Sequence, residues 1–184
     1  NLTCIGDERN HSCMLTKYKN TPSDEALIEA YKKLRIKNFK IHSFLERGSD
    51  ERQFNSPGID LPIASIFRTK YGCYKEYHTS LDNFDIVTPK GINGGFEVVK
   101  NAINYLNEND FPKVKILCEP QMGKRKLYPL LSRSNSSNSA RKFMDFMQYS
   151  DGKNSLKNIS KKIRLSIKET RKVYKLLKEK KLVD

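Results

Sequence analysis

The sequence predicts an α/β domain followed by a small all-α module, on three observations. Short apolar runs of strand length alternate with segments of helical period through the first two thirds of the chain. A basic, Ser- and Asn-rich stretch over 124–139 then has linker composition. Beyond it only helical periodicity remains. With 184 residues, 37% of them hydrophobic, the chain can bury one ordinary core, or a medium and a small one. The expected division is 1–123, a linker at 124–139, and 140–184.

Leu2–Gly6 is an apolar run closed by a glycine and the polar cluster Asp7–Asn10, which reads as strand and loop. It lacks an initiator Met and a signal-peptide pattern and reads as a strand already under way, so the chain is expected to begin inside a larger protein. Thr21, Pro22, Asp24 and Glu25 give a helix start, and Ala26, Leu27, Ala30, Tyr31 and Leu34 carry helical spacing to about Arg35. Ile41–Leu45 suits a strand. Gly48, Pro57, Gly58 and Pro62 punctuate a long ordered loop. Pro62–Phe67, apolar almost throughout, predicts a strand buried on both faces. A second loop, Arg68–Asn83, leads to a helix over Gly91–Asn107 with Phe96, Val99, Ile103 and Leu106 on one stripe, and Val114–Cys118 is a last strand. Three helices are expected at Ala140–Tyr149, Ser155–Ile163 and Ser166–Lys180. The last carries a capping box from Ser166 to Glu169 and an inward face of Val173, Leu176 and Leu177. Three short helices, the last long and basic, resemble a winged-helix or helix-turn-helix module.

The net charge of +14 makes nucleic acid or an acidic surface a conceivable partner. The excess is uneven: Arg141–Asp184 holds 14 basic and 5 acidic residues. The lysines there are compatible with phosphate binding, but the last helix offers few base-reading side chains, and protein docking or oligomer contact is the favoured reading. No run approaches the length of a membrane span, so no membrane partner is expected. Cys4, Cys13, Cys73 and Cys118 form no Cys-x-x-Cys pair, which argues against a zinc ribbon or disulfide scaffold and for reduced, mostly packed thiols in a cytoplasmic protein.

Chemistry concentrates in two loops. Gly48-Ser49-Asp50-Glu51-Arg52-Gln53-Phe54 and Tyr74-Lys75-Glu76-Tyr77-His78-Thr79-Ser80-Leu81-Asp82 gather acids and a histidine beyond buried strands. This suits a metal or acid–base site, with imidazole as a zinc ligand and a carboxylate orienting it. The same residues are also compatible with packing and local ion pairs. Asp50 and Glu51 suit either His78 support, binding of a substrate amine, or a structural pair. Arg52 suits carboxylate or phosphate recognition or a salt bridge, and Tyr77 a pocket wall or packing. His11 and His42 have no motif around them and read as non-ligands.

Ser-Asp-x-x-x-Phe at 49–54, Gly58-Ile59 with Pro62-Ile63-Ala64, and Tyr-His-Thr-x-x-Asp at 77–82 resemble the closing motifs of zinc exopeptidases of the aminopeptidase and glutamate carboxypeptidase type. Ser56-Pro57-Gly58-Ile59-Asp60-Leu61-Pro62, Glu76-Tyr77-His78-Thr79-Ser80 and Leu117-Cys118-Glu119-Pro120-Gln121-Met122-Gly123-Lys124-Arg125 narrow the resemblance. They are similar to aminopeptidase-like proteins associated with bacterial polysaccharide biosynthesis, which end in a winged helix. The resemblance implies the C-terminal part of a three-layer zinc-exopeptidase fold with an appended winged-helix module. It makes His78 a zinc ligand, with Asp50, Glu51, Arg52, Tyr77 and Asp82 supporting it or the substrate. The family's other His and Asp ligands, and its general-base Glu, lie in motifs absent from this chain, so the chain alone is expected to be inactive. Where the classical enzymes carry an Asp ligand, Thr3 stands, which favours one zinc, bound only in the complete domain; Asp7 is a candidate substitute. The implied function is amide hydrolysis of a peptide-like or N-acylated substrate. The alternative is a catalytically degenerate peptidase fold serving as a scaffold, with the basic module contacting protein, a second copy, or nucleic acid.

Overall fold

The computed structural model describes residues 1–127 and 137–184, and these form two compact units, Asn1–Glu108 and Asn109–Asp184.

In the first unit a three-stranded sheet has the order β2 (Lys40–His42), β1 (Ser12–Met14), β3 (Ser65–Phe67), with β1 parallel to β2 and antiparallel to β3. The central strand β1 lies in a stretch the periodicity passed over, because its three residues are too few to display an alternation. The expected strand at Leu2–Gly6 is reduced to one parallel bridge between Leu2 and Ile66, extended by the bonds Ile66 N to Asn1 O (2.9 Å) and Arg68 N to Cys4 O (2.9 Å). Expected strand Ile41–Leu45 shortens to β2, followed by a 3₁₀ turn at Phe44–Glu46. The long loop holds one helical turn, α2 (Glu51–Phe54). The strand expected at Pro62–Phe67 shortens to β3, whose three residues are all buried, while Pro62 is exposed and Ile63 and Ala64 are half-buried.

Helix α1 (Pro22–Lys33) begins on a Thr21–Asp24 capping box, and the Asp24 carboxylate also accepts from the Thr16 amide at 2.7 Å and the Thr16 hydroxyl at 2.6 Å. It packs with α3 (Pro89–Glu108) on one face of the sheet, where Cys13, Leu27, Ala30, Tyr31, Ile66, Val98 and Ala102 form the core. The opposite face carries a smaller cluster, Met14, Phe67 and Tyr71, covered by Cys4, Phe44 and Tyr77. The architecture is α/β with a small sheet.

Of the apolar stripe read on α3, only Val99 packs against this core. Phe96 (50% exposed) and Ile103 (52%) stand in solvent, while Gly91, Gly95, Val98 and Ala102 are buried. A β-carbon at Gly91 would come within 1.8 Å of the Gly6 carbonyl oxygen, and one at Gly95 within 2.9 Å of Ile5 Cβ. The helix therefore approaches backbone with its smallest residues, and a hydrophobicity count cannot see this preference.

The second unit contains α4 (Ser137–Gln148), α5 (Leu156–Lys162) and α6 (Ile167–Glu179), close to the three expected helices. Its core is Met122, Leu127, Phe146, Met147, Leu156, Ile159, Val173, Tyr174, Leu177, Leu182 and Val183. The expected strand at Val114–Cys118 is a pair of antiparallel bridges, Lys113 with Asp151 and Val114 with Val183. Residues 109–123, assigned from sequence to the first domain, thus supply Val114, Ile116 and Met122 to the second core. The central part of the expected linker, 128–136, lies outside the described residues. Of the four thiols only Cys13 is fully buried; Cys73 and Cys118 are exposed, so the expectation of mostly packed cysteines does not hold for these two.

Candidate functional site

The site is built where β3 ends. Past Phe67, the loop 68–88 is pinned at its start by Asp7, whose carboxylate accepts from the Thr69 amide (2.8 Å) and hydroxyl (2.7 Å) and from the Arg9 amide (2.9 Å). Burial alone would raise the Asp7 carboxyl; these donors outweigh it and hold the group below its ordinary range. With its oxygens so engaged, Asp7 serves first as the anchor of this loop. Arg9 then reaches Glu76 at 3.2 Å, fastening the loop's middle to the chain's first loop.

Within it runs a succession of turns: Thr79 N to Glu76 O (3.1 Å), Asp82 N to Thr79 O (3.1 Å), and Val87 N to Asn83 O (3.0 Å). His78 occupies the third position of the Glu76–Thr79 turn with φ +59°, a left-handed conformation uncommon for a residue with a β-carbon. Such positions persist where surrounding structure holds them. The imidazole is exposed and stacks on the Tyr77 ring, centroids 4.0 Å apart and planes 19° from parallel. Its ring nitrogens make no hydrogen bond among the described residues, so they remain open to a ligand. Tyr77 continues the aromatic row to Tyr74 (5.7 Å) and Tyr71 (6.1 Å), and Tyr71 meets Phe67 edge-on at 5.5 Å.

Beside this row is a cavity of about 440 Å³ walled by the 3–7 segment, by Tyr74, Tyr77 and Asp82, and by the apolar Ile86, Val87 and Ile92. Tyr74 Oη lies 3.4 Å from Asp82 Oδ2, and burial, followed by the neighbouring Cys4 and Asp82, pushes its phenol well above the ordinary range. Two motifs distant in sequence thus meet at one opening: the segment bearing Thr3 and the loop bearing Tyr77, His78 and Asp82. Tyr74 and Cys4, which sequence reasoning did not single out, share this wall. A tyrosine four residues before a candidate histidine was the available signal.

The other loop is separate in its work. Glu51 is 1% exposed and accepts from the Gly48 amide (2.9 Å), the Ser49 amide (3.0 Å), the Tyr71 hydroxyl (2.5 Å) and the Ser65 hydroxyl (3.1 Å). Burial opposes its ionisation, yet Tyr71 and the Ser49 and Gly48 amides together draw the carboxyl down to about 2. Glu51 reaches the His78 row through Tyr71 and Tyr77, not directly. Asp50 and Arg52 are exposed, and neither side chain makes an ion pair among the described residues. His11 is held against the Arg68 guanidinium, and burial followed by that charge lowers its imidazole to about 4. His42 is buried with Nδ1 3.4 Å from Glu46.

Among the described residues no three His, Cys, Asp or Glu side chains are placed together to hold a metal ion. A zinc site generally requires about three protein ligands and an open position. One exposed, unengaged imidazole fits the role of a single contributed ligand and no more.

Comparison with known proteins defines the class. Residues 95–184 match a family model described as winged helix-turn-helix. A Clostridium acetobutylicum protein named "Putative polysaccharide biosynthesis protein with aminopeptidase-like domain" is 36% identical over 169 residues, covering 87% of this chain and 37% of that protein. The crystal structure of a "putative peptidase" from the same organism aligns with all of this chain and 40% of its own, at 28% identity and a TM-score of 0.58. The chain therefore spans about two fifths of the length of these relatives. An aminopeptidase-like segment joined to a winged helix-turn-helix segment is the class so defined, as the motifs around Asp50 and His78 imply. Residues 1–109 match the family model described as Domain of unknown function (DUF4910), and the chain belongs to that family.

Proposed function

We propose that this chain supplies one wall of the active site of a zinc-dependent, aminopeptidase-like amide hydrolase, acting on a peptide-like or N-acylated substrate in surface-polysaccharide biosynthesis. The supporting observation is the convergence of Thr3, Tyr77 and Asp82 on one cavity, with the unengaged His78 imidazole stacked on Tyr77. In the complete domain His78 is a ligand to one zinc ion, with the remaining ligands and the general base supplied by residues outside this chain. A zinc ion so held supplies an activated water for attack on the scissile carbonyl. Tyr77 fixes the imidazole plane by stacking, the Asp7–Arg9–Glu76 contacts hold the turn that presents it, and Tyr74 and Asp82 offer polar contacts to a substrate lying against Ile86, Val87 and Ile92. The three-layer arrangement and a cytoplasmic home belong to the same reading. Polysaccharide biosynthesis enters from the name of the Clostridium relative.

A second reading, a degenerate peptidase fold retained as a scaffold, is favoured by one observation: on the cavity wall shared with Asp7 and Asp82, Thr3 stands at the position where the classical enzymes carry an acidic ligand. Metal analysis separates the two. The longer protein, purified and assayed by elemental analysis, is expected to hold one zinc per chain, and His78→Ala to lose it while circular dichroism is unchanged. Full zinc in that variant would remove His78 from the ligand set, and no zinc in the wild type would favour the scaffold.

A further inference from the structure

We infer that a small cavity on the sheet face away from α1 and α3 binds a phosphate group, either the free ion or the headgroup of a small monoester. Side chains alternate along a strand, so Ser12 and Met14 point away from Cys13 and the helices packed on it. Their register partners on β2, Lys40 and His42, take the same face. The loop after β3 closes the space with Thr69, Lys70 and Cys73, and Asn10 adds to the wall from just before β1. The cavity measures about 240 Å³. Pockets for drug-sized ligands hold about 300–1,000 Å³, so this one suits a ligand of few atoms.

The charge on this wall selects the ligand. Lys70 is 6% exposed, and its ammonium donates to the carbonyls of Tyr71 (3.0 Å) and Glu46 (3.4 Å) beside the Tyr71 ring. No carboxylate forms an ion pair with it among the described residues, and a buried cation is costly without a counter-charge. Lys40, exposed, is likewise unpaired among the described residues. Burial lowers the His42 imidazole below its ordinary value; Glu46 opposes this, while the charges of Lys40 and Lys70 lower it further. Both ammonium groups therefore act on the same wall. Glu46 holds His42 Nδ1 at 3.4 Å, but its side chain is half in solvent and stands off the wall. The Ser12 and Thr69 hydroxyls already donate to Arg68 O (2.9 Å) and Asp7 (2.7 Å). Asn10 gives one amide proton to Thr69 Oγ1 at 3.1 Å and keeps the other. The donors left for a ligand are thus on Lys40, Lys70 and Asn10, in three separate segments. A phosphate group offers three acceptor oxygens and about two negative charges to such a set, whereas a carboxylate offers two oxygens and one charge.

Isothermal titration calorimetry of the full chain with inorganic phosphate, glycerol 3-phosphate and acetate, at constant ionic strength, tests this. Saturable binding of a phosphate is expected, at least about tenfold tighter than that of acetate. A tighter monoester identifies the esterified source, and equal binding the free ion. Lys70→Met keeps the buried stem, removes the charge, and should weaken phosphate by about 10- to 100-fold. Lys40→Gln, at an exposed position where folding is not at stake, should weaken it by about tenfold. Phosphate should also slow alkylation of Cys73 by iodoacetamide by about threefold or more, since a bound anion covers the thiol and disfavours its thiolate. Cys118, exposed in the other unit, is the internal reference and should not change. Absence of saturable binding by either phosphate at millimolar concentration, acetate binding as tightly, affinity unmoved by Lys40→Gln, or equal slowing at Cys73 and Cys118 would each overturn the assignment.

Discussion

Glu51 and His78 sit in neighbouring motifs, and the structure gives them opposite lives. Glu51 is a buried carboxylate whose partners fix the 48–54 turn against β3. Because its folded value is drawn to about 2 from an ordinary value near 4.5, it stabilises the fold fully above about pH 4.5 and progressively less as pH falls toward 2. His11, lowered to about 4 from 6.5, acts in the same direction at higher pH: the unfolded chain takes its proton first, so stability is lost between about pH 6.5 and 4. Urea titrations from pH 7 to 2.5 should show both losses. Glu51→Gln should lower stability at pH 7 by about 1–3 kcal/mol and flatten the lower window; an unchanged acid profile would contradict the assignment. The motif around Glu51 was legible as a motif, but its buried role was not, since an acid at a loop tip and an acid folded under it read alike in one dimension. His78 was legible as a candidate from Tyr-His-Thr-x-x-Asp, whereas its left-handed backbone and its stacking on Tyr77 came from the turn geometry.

Helix starts were easier to read than helix stops. Thr21 and Ser166 announce themselves by capping boxes with Asp24 and Glu169 three residues on. The ends of α1, α5 and α6 close by Schellman bonds, Ile36 N to Tyr31 O, Leu165 N to Ser160 O and Leu182 N to Leu177 O, each 2.9–3.0 Å. The left-handed residues that permit them are Arg35, Arg164 and Lys181 where glycine is usual. Helix α3 teaches the converse about glycine. Alanine favours a helix over glycine by about 1 kcal/mol, yet Gly91→Ala would drive a methyl into the Gly6 carbonyl at 1.8 Å. That substitution should destabilise the first unit by about 3 kcal/mol or more, read as a lowered denaturation midpoint; a gain in stability would mean that the helix does not lie so close.

The two units own separate cores, one around Tyr31, Val98 and Ile66 and the other around Phe146, Ile159 and Leu177. Denaturation should therefore resolve two transitions, with Phe146→Ala lowering one by about 3–5 kcal/mol and leaving the other in place; a single transition moving as a whole would show that they unfold together. No helix among the described residues is long and apolar enough to cross a membrane. The sequence by itself determined the alternating character of the first part, the three closing helices, the concentration of positive charge over Arg141–Asp184, and the motifs that relate the chain to aminopeptidase-like proteins. These are local properties, set by spacing, caps and composition. Tertiary structure alone decided that β1 is the central strand, that α3 buries its glycines and not its large apolar stripe, that residues 109–123 join the second core, and that Thr3 meets Tyr77 and Asp82 across one cavity. Each depends on which surfaces are brought together over tens of residues, and a periodicity within one segment carries no record of its partner.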